Sequence, residues 1–393
     1  MMRREASGAK VTGGGQEFGR IGSSSDTNQV AAIDYDRDED AIQLFLDSAV
    51  LYRVYRGNPG RFLSSWREAR NQFLTEMGIL LPEIDVRVDA IAPPSSYRVV
   101  AAGTEMFSGS LSPDSLFVEM CASQAAPMGL EVSDHEYHPI SGHRVFWAPN
   151  RPHVRRQLEA GSIICRDFFE FITLKVCAFC LTHPAEFLSV TAVHSMLRGI
   201  EKRHPGLVGE GFGKEFVSAP KLTEILQELV RQGVSIRDFR SMLEGVASYC
   251  SSAGVTLDSD QGIDVAAAVA HIRMLRRRQI VKKLLGPHRS LRVLNLGRDL
   301  EEELEGVDFE GKGLPLPLGS ETLHLIEQNL ARITKPIVEM GVHPIIVLCR
   351  SELREKVSSL LHFSSQHAFI VGVEELEPSQ PTEQIAVWSL EQR

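Results

Sequence analysis

This chain of 393 residues has few cysteines, no long apolar run and no excess of basic residues. The cysteines are Cys121, Cys165, Cys177, Cys180, Cys250 and Cys349. They are too sparse for a disulfide framework, which indicates a reducing compartment. No stretch approaches the ~18 uninterrupted apolar residues of a membrane-spanning helix. The N-terminus also lacks the charged-then-apolar layout of a signal peptide. We therefore expect the chain, taken alone, to be soluble and cytoplasmic.

Charge and length narrow the class of protein further. The chain has 42 basic and 51 acidic residues, a formal net charge of -9. That balance argues against a general nucleic-acid binder, which needs Lys and Arg to neutralise phosphate, and is compatible with protein partners. With 43 % hydrophobic residues, a chain of this length is expected to form roughly two to four compact units.

Hydropathy patterns predict a mixed α/β, multidomain architecture. Residues 1–34 are rich in Gly and Ser, which predicts a flexible linker. A small α/β unit follows, with a helix that Gly78 stops. A second small unit spans 112–163, residues 185–285 are mostly helical, and an alternating α/β unit begins near 290. In this last unit we predict strands at Leu291–Leu296, Pro344–Cys349 and Ala368–Val373, and a helix over 320–340 that Pro336 should kink or end. The helix from Phe168 to Cys180 is apolar on nearly all sides apart from Glu170 and Lys175, so we expect it to be buried between units.

A search for catalytic or metal-binding motifs finds only partial matches. The run Gly209–Lys214 lacks the first Gly and the Ser or Thr of a phosphate-binding loop. Cys177 and Cys180 have CxxC spacing, but they lie late in an apolar helix, where burial as small hydrophobes is favoured over thiol-redox or zinc chemistry. The histidines at 135, 138 and 143 match no metal-site spacing, so a polar surface loop is favoured there. We expect no enzyme activity, no metal and no cofactor.

A basic helical stretch carries Arg276, Arg277, Arg278, Lys282 and Lys283. A solvated helix face is the favoured interpretation. A subunit or partner interface is the second, because basic stripes complement acidic surfaces.

The segment Thr223–Glu244 is the most specific pattern in the chain. Gly233 ends one amphipathic helix, and Ser235 is predicted to cap the next, with Asp238 three residues on. The second half, from Val234 to Glu244, closely resembles a signature of the FHIPEP family of type III secretion export gates, with mild departures at Phe239 and Met242. The resemblance extends over nearly the whole ordered chain, for example at Gly78–Ile84 and Pro344–Arg354.

The resemblance implies four subdomains in a soluble domain that assembles into a nonameric ring. The first subdomain is discontinuous and comprises residues 35–111 and 164–183. The second is small and β-rich and comprises residues 112–163. The third is helical and comprises 184–286, and the fourth is an α/β subdomain that comprises 287–393. It also implies partners: chaperone–substrate complexes, gatekeeper and ATPase-stalk proteins, and the protein's own transmembrane domain, which would precede residue 1. It does not imply a nucleic-acid partner.

The resemblance further implies a docking site between the first two subdomains. Its positions fall on His138, Pro139, Ile140, Ser141, Gly142 and Thr173. Two of them depart from the flagellar motif, because His138 stands in place of an acidic residue and Ser141 in place of an aromatic one. Either chaperone specificity differs or the site is used differently. Residues 223–227 and Phe146–Trp147 resemble injectisome members more than flagellar ones, so the injectisome branch of the family is favoured and the flagellar branch remains the alternative.

The family signature itself is expected to make subdomain or subunit contacts. Its candidate residues are Gly233, Ser235, Ile236, Arg237, Asp238, Arg240 and Glu244. Arg237 and Arg240 lie off the apolar face of their helix. A surface pair of Arg240 with Glu244 would be worth only ~0.3–0.5 kcal/mol, so we expect at least one of the two arginines to contact another subdomain or subunit.

Overall fold

The computed structural model describes residues 41–55, 59–121, 124–205, 217–254, 262–286, 288–309, 316–340, 342–363 and 368–390. The predicted linker and the Gly-rich run at 209–214 lie outside these ranges. The strands are β1 Ile42–Asp47, β2 Ile84–Asp89, β3 Ser96–Ala101, β4 Thr104–Ser110, β5 Ser115–Val118, β6 Asp134–Tyr137, β7 Arg144–Pro149, β8 Cys165–Arg166, β9 Leu291–Leu296, β10 Ile345–Cys349, β11 Ala368–Gly372 and β12 Thr382–Trp388. The α-helices are α1 Ser48–Val50, α2 Pro59–Met77, α3 Pro152–Ala160, α4 Phe168–Thr182, α5 Val190–Arg203, α6 Ala219–Arg231, α7 Phe239–Ala253, α8 Val265–Leu285, α9 Arg298–Glu305, α10 Ser320–Glu339 and α11 Arg354–Phe363.

The first sheet has the strand order β2-β1-β3-β4. Strand β1 pairs in parallel with β2 and antiparallel with β3. Alternate residues of β1, from Ile42 to Leu46, are fully buried, as expected when a strand presents one face to a core. Helices α2 and α4 pack against each other and share this core.

The second sheet is antiparallel, with the order β6-β7-β5-β8. Because β8 pairs with β5, this sheet extends past residue 163 to Arg166. Strand β6 lies in the stretch that the sequence indicates as an irregular polar loop. That expectation was wrong, because pairing with β7 holds Asp134–Tyr137 extended even though its residues are polar.

Helix α4 lies between the first two sheets. Phe169, Ile172 and Val176 pack into the core of the first sheet, while Phe171 and Leu174 pack on Phe117 and Trp147 of the second. The uniform apolarity of the helix is therefore explained, and the expectation that it is buried is confirmed. Its first turn is held by a capping box in which Asp167 and Glu170 each accept a backbone N–H.

Helices α5 to α8 form the next layer. Gly233 follows α6, but Ser235 does not cap α7: that helix begins at Phe239, and its cap is Asp238, whose carboxylate accepts the N–H of Ser241. The Ser235 hydroxyl instead accepts the N–H of Arg237. Asp238 prevails because the backbone from Val234 to Arg237 lies against the end of α2, where Ile236 N–H donates to Met77 O at 2.9 Å.

The third sheet is parallel, with the order β11-β10-β9-β12. Strands β10 and β11 are nearly continuous apolar runs, as is usual in parallel sheets that are covered on both faces, whereas the edge strand β12 begins with exposed polar residues. Pro336 was expected to kink or end its helix. Helix α10 does not end there but continues to Glu339.

Candidate functional site

Residues 138–142, here called the 138–142 turn, connect β6 to β7. Gly142 N–H donates to His138 O at 2.8 Å. Gly142 has a φ of +72°, a left-handed conformation that glycine adopts without strain. The His138 imidazole completes the turn, because its Nδ1 accepts N–H groups from Ile140 at 3.2 Å and Ser141 at 3.1 Å. The turn is thus held by a side chain as well as by its backbone.

Ser141 is less accessible than the sequence indicated. We expected an exposed residue, but Ser141 is half-buried, and its hydroxyl lies 2.6 Å from Nδ1 of His143. The His143 ring stacks on His138 with centroids 5.2 Å apart and planes 10° apart. Ser141, His138 and His143 therefore form one small cluster.

Two charged residues lie behind the turn. Glu119, which follows β5, pairs with Arg166 in β8, and its carboxylate lies 3.6 Å from Nε2 of His138. Burial alone would raise the pKa of Glu119, but His138 and Arg166 outweigh it and hold the pKa below its usual value. The pKa of His143 is lowered by burial and by the neighbouring His138, against a smaller effect of Glu119. These neighbours favour an ionised Glu119 and a neutral His143.

A cleft of about 1270 Å³ lies beside α4, and we call it the α4 cleft. Pro139 and Ile140 of the turn line it together with Thr173 of α4. Ser141 and Gly142 line a smaller adjoining cavity of about 250 Å³, on the side of α10. The structure thus brings four of the five turn residues and Thr173 to adjoining cavities. The side chain of His138 is about 10 % exposed and supports the turn from behind.

Thr173 is the buried polar residue of this wall. Only 6 % of its surface is exposed, and its hydroxyl has no hydrogen-bond partner among the described residues. A helical threonine can usually donate to the carbonyl four residues earlier, as Thr182 does toward Ala178 O at 3.2 Å. Thr173 therefore lines the cleft, while its hydroxyl is buried without a hydrogen-bond partner among the described residues.

The two cysteines of the CxxC motif are poor nucleophiles. Burial raises the pKa of Cys177 to about 11 and raises the pKa of Cys180 well above its usual value. Reactive cysteines need the reverse shift, because the thiolate is the reacting species. In the part of the chain that the structure describes, no cluster of three His, Cys, Asp or Glu side chains could hold a metal ion. No helix of the described ranges is long and apolar enough to cross a membrane.

A buried charge cluster, here called the Arg273 network, joins α8 to the third sheet. The Arg273 guanidinium donates to both carboxylate oxygens of Glu375, at 2.6 and 2.7 Å, and to Ile370 O at 2.8 Å. Arg354 donates to Glu375 at 3.1 Å and to the Gln232 side chain at 3.0 Å. Arg273 and Glu375 are both fully buried.

Sequence reasoning missed this network. Arg273 stands one residue from Ile272 in a stretch whose visible feature is the three arginines that follow it. Its partner Glu375 is 102 positions away, so no local spacing could have linked them. Lys175 was also missed as a functional candidate, although the charge itself was visible inside an apolar helix.

Comparison with known protein families and solved structures identifies the family of this chain. The model of the FHIPEP family matches residues 12–381. The chain belongs to the FHIPEP family. It is 23 % identical to the flagellar biosynthesis protein FlhA of Proteus mirabilis over 331 residues, which cover 83 % of this chain and 44 % of that protein. It is 20 % identical to the low calcium response locus protein D of Yersinia pestis, over 78 % of this chain and 42 % of that protein. The chain therefore spans under half the length of these curated relatives.

Solved structures share the fold of this FHIPEP chain. The Chlamydia pneumoniae CdsV protein matches with a TM-score of 0.73 and 19 % identity, over 89 % of this chain and 98 % of that one. The cryo-EM structure of the nonameric EPEC SctV-C matches with a TM-score of 0.63 and 20 % identity, over the same shares. The mixed α/β, multi-sheet architecture expected from the sequence is confirmed.

The FHIPEP signature lies where three parts of the fold meet. Gly233 has a φ of +74°, and a Cβ there would lie 2.3 Å from the Phe369 ring of β11, so only glycine fits. Ile236 is fully buried and bonds through its N–H to the end of α2. The signature residues thus hold α2, the α6–α7 junction and the third sheet together by backbone contacts.

The charged residues of the FHIPEP signature lie on the outer side of that junction. Arg240 pairs with Glu244 at 2.8 Å, as expected. Asp238 pairs with Arg276 of the basic stretch at 2.9 Å, and Arg278 pairs with Glu377 at 2.6 Å. Part of the basic stretch is therefore engaged within the chain. Arg237 is exposed, and its predicted contact with another subunit stays a prediction.

Proposed function

We propose that this FHIPEP-family chain is the cytoplasmic platform of a type III secretion export gate, on the cytoplasmic face of the bacterial inner membrane. In this role it docks chaperone–substrate complexes and passes unfolded substrates to the membrane channel. It acts by binding and not by catalysis. The observation that carries the proposal is the α4 cleft, which has Pro139 and Ile140 of the 138–142 turn on one wall and Thr173 of α4 on another.

The chemistry of the cleft suits a protein ligand. Its walls combine apolar side chains, such as Leu174 and Phe369, with many polar and charged ones that can orient a partner, a combination that is common in protein–protein interfaces. The recognition loop is carried on a rigid sheet, a common arrangement for binding residues. Ring assembly is proposed because similar folds form nonamers, with exposed Arg237, Arg240 and Glu244 as candidate subunit contacts. A complex of CdsV with CdsO supports proposing an ATPase-stalk partner, and gatekeeper proteins complete the proposed set.

The injectisome branch is proposed over the flagellar branch because residues 223–227 and Phe146–Trp147 resemble injectisome members more than flagellar ones. His138 and Ser141 also depart from the flagellar docking motif. The structure gives both residues a use within the turn, through the hydrogen bonds of the His138 ring and the Ser141–His143 contact. Restoration of protein secretion in an injectisome mutant, and not of motility in a flagellar mutant, would support this choice.

The docking proposal is tested by calorimetry with a chaperone–substrate complex of the same secretion system. Pro139→Arg places a large cation in the cleft and should weaken binding by roughly 1–3 kcal/mol, the usual size of a lost central contact. Pro113→Arg is the matched control, on a loop of the same sheet that does not line the cleft. Equal affinities for both variants and the wild type would overturn the site.

Ring assembly has its own test. Sedimentation at high protein concentration should reveal a large oligomer that electron microscopy resolves as a ring, and substitution of Arg237 or Arg240 by Ala should weaken it. A chain that stays monomeric at low salt would contradict the assembly, since charged contacts are strongest there.

A further inference from the structure

One lysine is held in an aromatic enclosure where the first two sheets meet. The Lys175 ammonium lies 5.2 Å from the centroid of Phe107, 5.7 Å from that of Phe171 and 5.9 Å from that of Tyr97. Tyr97 and Phe107 belong to β3 and β4 of the first sheet, and Phe171 packs on the second sheet. The ammonium is therefore enclosed by rings from both sides of the α4 junction, and we call this the Lys175 cage.

The charge in the cage has little compensation. The Lys175 Nζ donates to the Tyr97 hydroxyl at 3.3 Å, which uses one of its three donors. Among the described residues no carboxylate lies within ion-pair distance of it. Burial lowers its pKa, and the more distant Glu136 of β6 opposes this only in part. A half-buried cation with free donors gains more from a carboxylate than a solvated lysine does, because the surrounding rings exclude water.

The Lys175 cage is open to the α4 cleft, which Lys175 and Phe107 both line. Lys175 and Thr173 occupy different positions around α4, because side chains two residues apart on a helix point about 200° apart. Because Lys175 and Thr173 both line the cleft, a ligand in the cleft can reach the Lys175 cage as well as the surface around Thr173.

We propose that the Lys175 cage is an anchor for an acidic side chain of the docked protein, with an apolar neighbour of that side chain packing on the aromatic rings. The identity of the ligand as an export partner rests on the proposed function, whereas the carboxylate chemistry of the cage does not. The rings suit a carboxylate presented by a polypeptide, because their faces offer contact area to an adjacent apolar side chain.

The test uses the full chain with its lysines labelled with 13C at Cε, followed by NMR. The probes are N-acetyl-Phe-Glu-amide and N-acetyl-Phe-Gln-amide, which differ only in the charge. The Lys175 signal is identified by its loss in Lys175→Met. We expect it to shift saturably with the Glu dipeptide and to respond to the Gln dipeptide with about tenfold weaker affinity, since hydrogen bonds to charged groups are the stronger ones. Lys202 on α5 is exposed, and its signal and the Lys202→Met variant serve as controls.

Two further arms keep the outcomes distinct. Lys175→Arg keeps the charge and should keep the preference for Glu, while Lys175→Met, if still folded by its thermal transition, should lose it. Acetate alone should bind at least several-fold more weakly than the Glu dipeptide. Equal affinity for the two dipeptides, or no movement of the Lys175 signal, would overturn the anchor. Dipeptide binding without binding of a chaperone–substrate complex would uphold the anchor and count against the proposed function.

Discussion

The Arg273 network and the 138–142 turn are both built on charged or ionisable side chains, but their environments are opposite. In the network the ions are buried and bonded to each other and to the backbone. In the turn, an imidazole caps the backbone while lying beside a solvent-accessible cleft. Breaking a buried pair is costly because a bare charge remains, whereas the turn is held by side-chain-to-backbone hydrogen bonds next to the cleft, which cost less to break. The comparison indicates a rigid joint in one place and an adjustable binding surface in the other.

The largest effect is expected from breaking the joint. Glu375→Gln leaves Arg273 and Arg354 buried beside each other without their anion, and should lower the free energy of unfolding by about 3–5 kcal/mol. Urea denaturation measures the change. The control is Glu377→Gln, whose partner Arg278 is largely exposed, and it should cost less than about 0.5 kcal/mol. Similar losses in both variants would mean that the buried network stabilises the fold no more than an exposed ion pair does.

The network should also weaken in acid. Burial alone would raise the pKa of Glu375, but the hydrogen bonds and charge of Arg273, together with Arg354, outweigh it and lower the pKa below its usual value. A lowered folded-state pKa means that the stabilisation is present above the unfolded-state value and is lost as the pH falls through the folded-state value. The difference in stability between wild type and Glu375→Gln should therefore shrink below about pH 4, which urea denaturation at several pH values would reveal.

A smaller effect is expected at Thr173. Thr173→Val removes a buried hydroxyl without a partner and should leave stability unchanged or raise it by about 1 kcal/mol. Chaperone–substrate binding should weaken by about tenfold if that hydroxyl bonds to the partner. The matched control is Thr334→Val, because the buried Thr334 hydroxyl donates to Leu330 O at 2.8 Å, and this variant should lose about 0.5–1.5 kcal/mol of stability. If Thr173→Val binds the chaperone–substrate complex as tightly as the wild type does, the Thr173 hydroxyl is not part of the docking site.

The smallest effect is a pH dependence of the turn. Since burial and His138 lower the pKa of His143, the fold favours its neutral form. The contribution to stability is present above the unfolded-state pKa and is lost as the pH falls through the lowered folded-state pKa. NMR titration should place the His143 midpoint below about 6.5, and the protection factors of the Ile140 and Ser141 amides against hydrogen exchange should fall below it. An unshifted midpoint would contradict the clustering of the two rings.

The sequence was informative wherever a pattern was local. Strand β9 was predicted with its observed bounds, Leu291–Leu296, and β10 and β11 to within one residue, because buried parallel strands are continuous apolar runs. Strands β1, β6 and β12 were missed. β1 follows an acidic segment, and β6 consists of Asp, His, Glu and Tyr, so its conformation comes from pairing with β7 and not from its composition.

The candidate site was predictable only as far as the family resemblance extends. The resemblance pointed to residues 138–142 and Thr173, and the structure places all of these except His138 on adjoining cavities. It could not indicate that His138 caps the turn or that Ser141 bonds to His143, because these contacts depend on side-chain geometry. The Arg273 network and the Lys175 cage join residues far apart in sequence, which spacing alone cannot relate.

Amide hydrogen exchange with and without a bound chaperone–substrate complex tests the two-region account most directly. The account predicts that binding slows exchange in the 138–142 turn and along the cleft-facing part of α4. It also predicts that amides at the Arg273 network, such as that of Gly372, which donates to Glu375 at 3.1 Å, exchange slowly and equally in both states. Protection centred on the network, with the turn and α4 unchanged, would contradict it.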